Sequence, residues 1–352
     1  EDRFNVISFS TGLSRYARGL RPASEADGAA DWVRDLEAVG GTNINRALLE
    51  AMSLMEEGDD DRPAVLIFLT DGLPTEGVQE IDQILANAAT AAPERMRLFP
   101  FGVGNDVNTV LLDTLAEQNR GTTGYVRPGE RIDEEVSALY AKIKTPVLAN
   151  LEVDFGDVMA EEVYPYPLPD LFAGSQLIAT GQYRLPISHS DEGTIVLSGE
   201  VRGERREFVY EGAFEGENQG DGENASFIPR LWATRKIGHL LTQIRLHGEQ
   251  EEWVDAVVDL SVEYGIVTPY TSFLIEEDDI LTDAGRDRAA EQLRSAPRAP
   301  ASGAPAVEMA EEEQKLRSAD SAAPAGGAQS EGAGGEAVRT VRHVGAKTFV
   351  LK

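Results

Sequence analysis

The run Ala64-Val-Leu-Ile-Phe-Leu-Thr70 carries no polar side chain before its last position, and Asp71-Gly72 stops it. A strand without polar alternation is what a parallel sheet covered on both faces needs. Such a strand requires helices on either side of it in sequence, and the chain supplies them. Upstream, the breaker Gly40-Gly41-Thr42-Asn43 opens an amphipathic helix over 44–57, with Ile44, Ala47, Leu48, Ala51 and Leu54 on one face. Downstream, the pattern predicts a helix over 79–92, a strand over 97–103, a helix over 107–119, a short strand over 123–127 and a helix over 131–144. Residues 3–9 read as a further buried strand and 15–19 as a short edge strand. Residues 27–39 have helical spacing through Ala30, Val33, Leu36 and Ala38. Strands alternating with helices over 1–145 predict an α/β fold with a doubly wound, mostly parallel sheet.

The character changes after Thr145-Pro146. Short strands are expected at Leu151–Phe155, Gln176–Leu185, Thr194–Val201 and Glu207–Tyr210, then helices over 229–247 and 250–264, with Gly265 leading into a β-run at Ile266–Ile275. Trp232, Ile237, Leu240, Leu241 and Ile244 form an apolar helical stripe, which reads as core. The chain thus divides into 1–145, a β-rich plus helical region over 146–281, a linker over 282–337 and the start of a further segment over 338–352. The linker is rich in Ala, Gly, Pro, Ser and Glu and is expected to be disordered, because it cannot bury enough surface to offset its ordering entropy. Both ends read as cut: the chain opens at a strand and closes on Thr348-Phe349-Val350-Leu351-Lys352, so a targeting or membrane segment would lie beyond them.

Composition excludes several chemistries. There are no cysteines, which removes disulfides, thiolate metal sites and Cys nucleophiles. The formal net charge of -29 argues against nucleic acid and anionic membranes as partners. No Gly-x-Ser-x-Gly elbow, phosphate loop or Gly-x-Gly-x-x-Gly after a strand is present. The four histidines, His189, His239, His247 and His343, are too scattered for a metal site. Scarce Lys beside abundant Arg, Ala and Gly points to a GC-rich bacterial genome. Nothing indicates an enzyme or a small-molecule substrate.

One pair of residues could hold a metal. Asp71 lies just past the carboxyl end of a central strand, where open α/β sheets bind ligands. Thr42 lies at a glycine-flanked helix start. A hydroxyl and a carboxylate brought together there are hard oxygen donors suited to Mg²⁺. Two plainer readings compete: Thr70-Asp71-Gly72 as a simple turn, and Thr42 as a helix N-cap.

Gly40-Gly41-Thr42-Asn43-Ile44, Leu66-Ile67-Phe68-Leu69-Thr70-Asp71-Gly72 and Phe101-Gly102-Val103-Gly104 occur in an order and separation that resemble the von Willebrand factor A domain, entered at its second strand. The resemblance implies a metal-ion-dependent adhesion site with Thr42 and Asp71 as two of its parts. Its remaining part, an Asp-x-Ser-x-Ser motif at the end of the first strand, does not occur in the required place here. The cofactor implied is Mg²⁺ (or Mn²⁺ or Ca²⁺), bound only if that motif is supplied. The first strand lies at the sheet centre in this family, so these residues alone are expected to be unstable or to aggregate.

Further on, Ile228-Pro229-Arg230-Leu231-Trp232-Ala233 and Tyr264-Gly265-Ile266-Val267-Thr268-Pro269-Tyr270-Thr271-Ser272-Phe273-Leu274 resemble the region after the A domain in proteins similar to inter-alpha-trypsin inhibitor heavy chains. Bacterial relatives of this layout place a β-rich VIT domain first. Animal heavy chains are linked to hyaluronan through an Asp-Pro-His end; that tripeptide is absent, so the activity is not carried over. The resemblance implies an extracytoplasmic adhesion module whose metal engages an acidic side chain of a protein partner. The alternative is a metal-independent scaffold of the cell envelope.

Overall fold

The computed structural model describes residues 2–56, 64–143, 146–184, 192–201, 203–214, 227–268, 291, 294, 300–320, 340–344 and 347–351. In chain order the first unit contains β1 (Arg3–Phe4), β2 (Ile7–Phe9), β3 (Leu13–Arg15), β4 (Arg21–Pro22), α1 (Ala26–Arg34), α2 (Ile44–Glu56) and β5 (Ala64–Thr70). It continues with α3 (Ile81–Ala91), β6 (Met96–Val103), α4 (Thr109–Gln118), β7 (Gly124–Val126) and α5 (Ile132–Ile143). Strands β5, β6 and β7 form a parallel sheet in that order, so the α/β reading holds.

The core follows from helical and strand periodicity. Ile44, Leu48 and Met52 from α2, Ile84 and Ala88 from α3, and Leu111, Leu112 and Leu115 from α4 pack on Phe68 and Leu98. Strand β6 is buried over all but its last residue, as a central parallel strand must be. Strand β5 departs from expectation. Among the described residues its pairing is with β6 alone, and Val65 and Leu69 are 41% and 39% exposed. The helices cover only the face that presents Leu66 and Phe68. Across the free edge of β5, Phe9 of β2 stacks on Phe68 at 5.4 Å between ring centroids.

The strand expected over 3–9 is broken in two. Asn5 is the cause: its Oδ1 accepts from Val6 N at 2.8 Å and from Ala17 N at 3.3 Å, and its Nδ2 donates to Ala17 O and Gly19 O. The side chain thereby replaces ladder bonds, and β2 pairs back on β3.

The second region carries β8 (Pro146–Asp154), β9 (Met159–Tyr164), β10 (Leu171–Phe172), β11 (Thr180–Arg184), β12 (Glu192–Val201) and β13 (Glu204–Ala213), followed by α6 (Phe227–His247) and α7 (Glu251–Tyr264). The sheet order is β10-β8-β12-β13, and β9 pairs separately with β11. Helices α6 and α7 pack on each other through Trp232, Ile237, Leu240, Leu241, Val254 and Val257, which places the apolar stripe in the core as expected. Gly265, at φ +61°, ends α7 in the left-handed conformation that glycine adopts without strain. Most of the β-run expected at Ile266–Ile275 lies outside the described residues, and Ile266–Thr268 form no strand.

The disordered-linker expectation for 282–337 is corrected over part of its length. Residues Ala304–Arg317 form a helix, α8, with Ala306, Val307, Ala310 and Glu313 buried. Composition failed here because the buried face uses small residues and a paired charge in place of bulky apolar groups. Finally, β14 (Thr340–Val344) and β15 (Lys347–Leu351) form an antiparallel hairpin within the segment expected to regain β character.

Candidate functional site

Parallel pairing makes one end of the sheet the place where loops converge. Thr70 pairs with Gly102, and Gly102 with Tyr125, so the loops that begin at Asp71 and Gly104 leave neighbouring strands at the same end. The buried Thr70 hydroxyl donates to Gly72 O at 3.2 Å and closes the turn that leaves Asp71 exposed. Thr42 reaches this turn from the loop before α2. A methyl group built on Gly72 would lie 3.8 Å from Thr42 Oγ1, so the threonine hydroxyl stands against the Asp71-Gly72 turn. The fold therefore brings together the two residues singled out from the sequence.

The N-cap alternative for Thr42 is set aside by the geometry. Asn43 caps α2, its Oδ1 accepting from Arg46 N at 3.2 Å. The main chain of Thr42 is held instead by the loop after Asp71. Thr42 N donates to Thr75 Oγ1 at 2.8 Å, while Thr75 N and Glu76 N donate to Thr42 O at 3.0 and 3.2 Å. From the other side, Asn43 N donates to Ser10 O at 3.0 Å and Gly41 N to Thr11 Oγ1 at 2.8 Å. Gly40 holds φ +84°, and a side chain at Gly41 would meet Glu76 Cγ at 2.5 Å, so both glycines are needed for this approach.

Sequence reasoning missed Ser10, Thr11, Thr75 and Glu76. Thr11 Oγ1 lies 3.5 Å from Glu76 Oε1, which brings a second carboxylate to the same group of loops. The available signal was turn chemistry: Pro74-Thr75-Glu76-Gly77 after Asp71-Gly72, and Ser10-Thr11-Gly12 after a strand.

The donors fit a hard divalent cation in kind: carboxylates and threonine hydroxyls, and no sulfur or imidazole. In number they fall short, because Mg²⁺ demands near-octahedral oxygen coordination. Among the described residues no group of three or more His, Cys, Asp or Glu side chains could hold an ion. His239 is accounted for otherwise. It packs against Tyr164 and Tyr166 at 5.4 and 5.9 Å between centroids, and burial, aided by Arg317, pushes its imidazole down to about 4. The acidic stretches at 59–61, 215–224 and 276–279 lie outside the described residues.

A parallel α/β sheet with a threonine loop and an aspartate turn meeting at its carboxyl end defines the class. Residues 1–124 match the von Willebrand factor type A domain. Over a longer stretch the chain is similar to human inter-alpha-trypsin inhibitor heavy chain H4, 29% identical across 79% of this chain and 31% of the relative. It is also similar to human inter-alpha-trypsin inhibitor heavy chain H6, 31% identical across 78% of this chain and 22% of the relative. The chain thus spans about a third or less of the curated relatives it matches. A solved von Willebrand factor type A protein from Catenulispora acidiphila shares the fold at a TM-score of 0.50 and 18% identity, across 83% of this chain and 79% of that one. Among the described residues no helix is long and apolar enough to cross a membrane.

Proposed function

We propose that this protein is an extracytoplasmic binding module that presents a divalent cation, Mg²⁺ by preference, at Thr42 and Asp71 to an acidic side chain of a protein partner. The observation that carries the reading is the Thr42 hydroxyl facing the Asp71-Gly72 turn at the carboxyl end of the parallel sheet. Its main chain is clamped by Thr75 and Glu76, so the hydroxyl is pre-positioned at no further entropic cost. The free edge of β5 is where a further strand would seat, and hydroxyl and carboxylate ligands at the end of such a strand would complete the coordination. The ion supplies charge and geometry, and the surrounding loops supply specificity. In this reading residues 1–145 form the binding unit and 146–281 its companion region. No catalytic role is assigned to any residue.

Titration calorimetry of the native protein with Mg²⁺ tests this. One site is expected, weakened about tenfold or more by Asp71→Ala and by Thr42→Ala. Undiminished affinity in Asp71→Ala would contradict the proposal.

A second reading, a metal-independent scaffold, is favoured by one feature. Among the described residues strand β13 is an edge of its sheet with Phe208, Val209 and Tyr210 all exposed, a surface suited to association without any ion. Association that survives a chelator and the Asp71→Ala change would select it.

A further inference from the structure

Helix α8 crosses the junction between the α/β unit and the α6–α7 pair, and Glu311, Glu313 and Gln314 of its inner side have partners there. Arg245 of α6 is the centre. Its Nε donates to Glu313 of α8 at 2.8 Å and its Nη2 to Asp113 of α4 at 2.5 Å. Tyr125 Oη donates to the same Asp113 at 2.9 Å. The side chains of Arg245 and Glu313 are each 3% exposed. Towards the rim, Arg127 pairs with Glu311, and Gln314 Nε2 donates to Thr123 O at 3.0 Å. Both ends of the helix are tied by main-chain groups. Thr109 N donates to Ala301 O at 2.8 Å, Gly303 N to Asn105 O at 2.9 Å, and the buried Arg235 donates to Ala319 O at 2.8 Å.

The apolar part of this contact is built from small groups and one leucine: Val307 and Ala310 lie in the α/β core, and Leu316 packs on the α6–α7 core. Ala306, Val307 and Ala310 are the fully buried apolar side chains of α8, whereas α6 buries Leu231, Trp232, Ile237, Leu240 and Leu241. Gly238 permits close approach, since a side chain there would meet Arg317 N at 2.6 Å. The receiving surface therefore has a definite chemistry: two arginines, Arg245 deep and Arg127 at the rim, beside a floor that takes the small residues of α8 and, next to Gly238, Leu316. An α-helix with small residues on one face and carboxylates one to two turns further on fills it.

We infer that α8 is a detachable strap, a ligand carried by the chain itself for a groove between α4 and α6 that recognises acidic helices with a small-residue face. Recognition rests on charge-assisted hydrogen bonds beside a few mostly small apolar contacts, so the strap leaves as a unit while the larger apolar clusters of α2–α4 and of α6–α7 stay closed. A tethered helix meets its groove at an effective concentration on the order of millimolar, so free peptide at micromolar concentration does not displace it. Weakening the tethered copy opens the groove to the same sequence supplied in trans.

The test uses the full chain and a fluorescent peptide of residues 300–320. Glu313→Ala in the chain removes the deep carboxylate of the strap but leaves Arg245 paired with Asp113. Saturable peptide binding is expected to this variant, at least about tenfold tighter than to the unaltered chain, and none from a peptide carrying Glu311→Lys and Glu313→Lys. Absence of peptide binding to a folded Glu313→Ala chain, or equal binding of the lysine peptide, overturns the proposal. A second measurement needs no variant. In the unaltered chain, amide hydrogens of 304–317 should exchange faster than those of β6; exchange of both at one common rate makes α8 an integral part of the core and equally overturns the strap.

Discussion

Ionised groups gather in two places in this molecule, and they are treated in opposite ways. At the junction under α8, Asp113, Arg245 and Glu313 are taken out of water and satisfy one another. At the carboxyl end of the parallel sheet, Asp71 is exposed, and the hydrogen bonds around it hold the main chain of the loops while leaving its carboxylate open. A buried ion with all its valences used holds together the elements that supply its partners. Taking it out of water is costly unless every partner is present, so such a cluster accepts only a group that replaces one of those partners. An exposed carboxylate beside a pre-positioned hydroxyl costs the fold little and keeps its donors free. The two clusters thus divide the work: one holds α8 against α4 and α6, the other stands open to a cation.

Substitutions break or sharpen this contrast. The largest effect is expected from Arg245→Ala, which strands two carboxylates at the junction. Loss of about 3–5 kcal/mol of unfolding free energy is predicted, read by urea denaturation of the full chain, and a loss below about 1 kcal/mol would show the cluster to be hydrated. Next comes acid. His239 has its imidazole pushed from an ordinary 6.5 down to about 4 by burial, so the unfolded chain takes up its proton first. Its contribution is therefore fully present above pH 6.5 and is lost as pH falls towards 4. Replacing His239 by Phe, which suits its two tyrosine neighbours, should flatten the stability profile in that window relative to the unaltered chain. At the rim, Arg127→Ala should cost only about 0.2–1 kcal/mol, because its pair with Glu311 is partly solvated. Smallest of all, Asp71→Ala should leave stability within about 0.5 kcal/mol while removing cation binding. A large stability loss there would place Asp71 with the junction ions as a structural charge.

The same contrast explains what could be read from the sequence. The strand Ala64–Thr70 and the helices around it were legible as elements because of their apolar patterning, although only one face of the strand is covered, with Val65 and Leu69 left exposed. That Thr42 and Asp71 meet at one end of the sheet was legible because both sit at punctuated ends of such elements. Thr75 and Glu76 were not, since they act through main-chain bonds to a loop more than thirty residues away, which leaves no periodic mark. The break at Asn5 was hidden for a similar reason: one side chain substitutes for a ladder. Helix α8 was hidden by its chemistry. Ala306, Val307, Ala310 and Glu313 repeat at helical spacing, but small residues and a glutamate do not register as a core until Arg245 and Gly238 are seen to receive them.

The central claim, an open cation site set apart from a closed ionic junction, is tested most directly by amide hydrogen exchange of the native protein with and without Mg²⁺. The account predicts added protection confined to residues 40–43 and 71–77, with 109–126 and 304–317 unchanged. Unaltered exchange at 40–43 and 71–77, or protection centred on the junction, would contradict it.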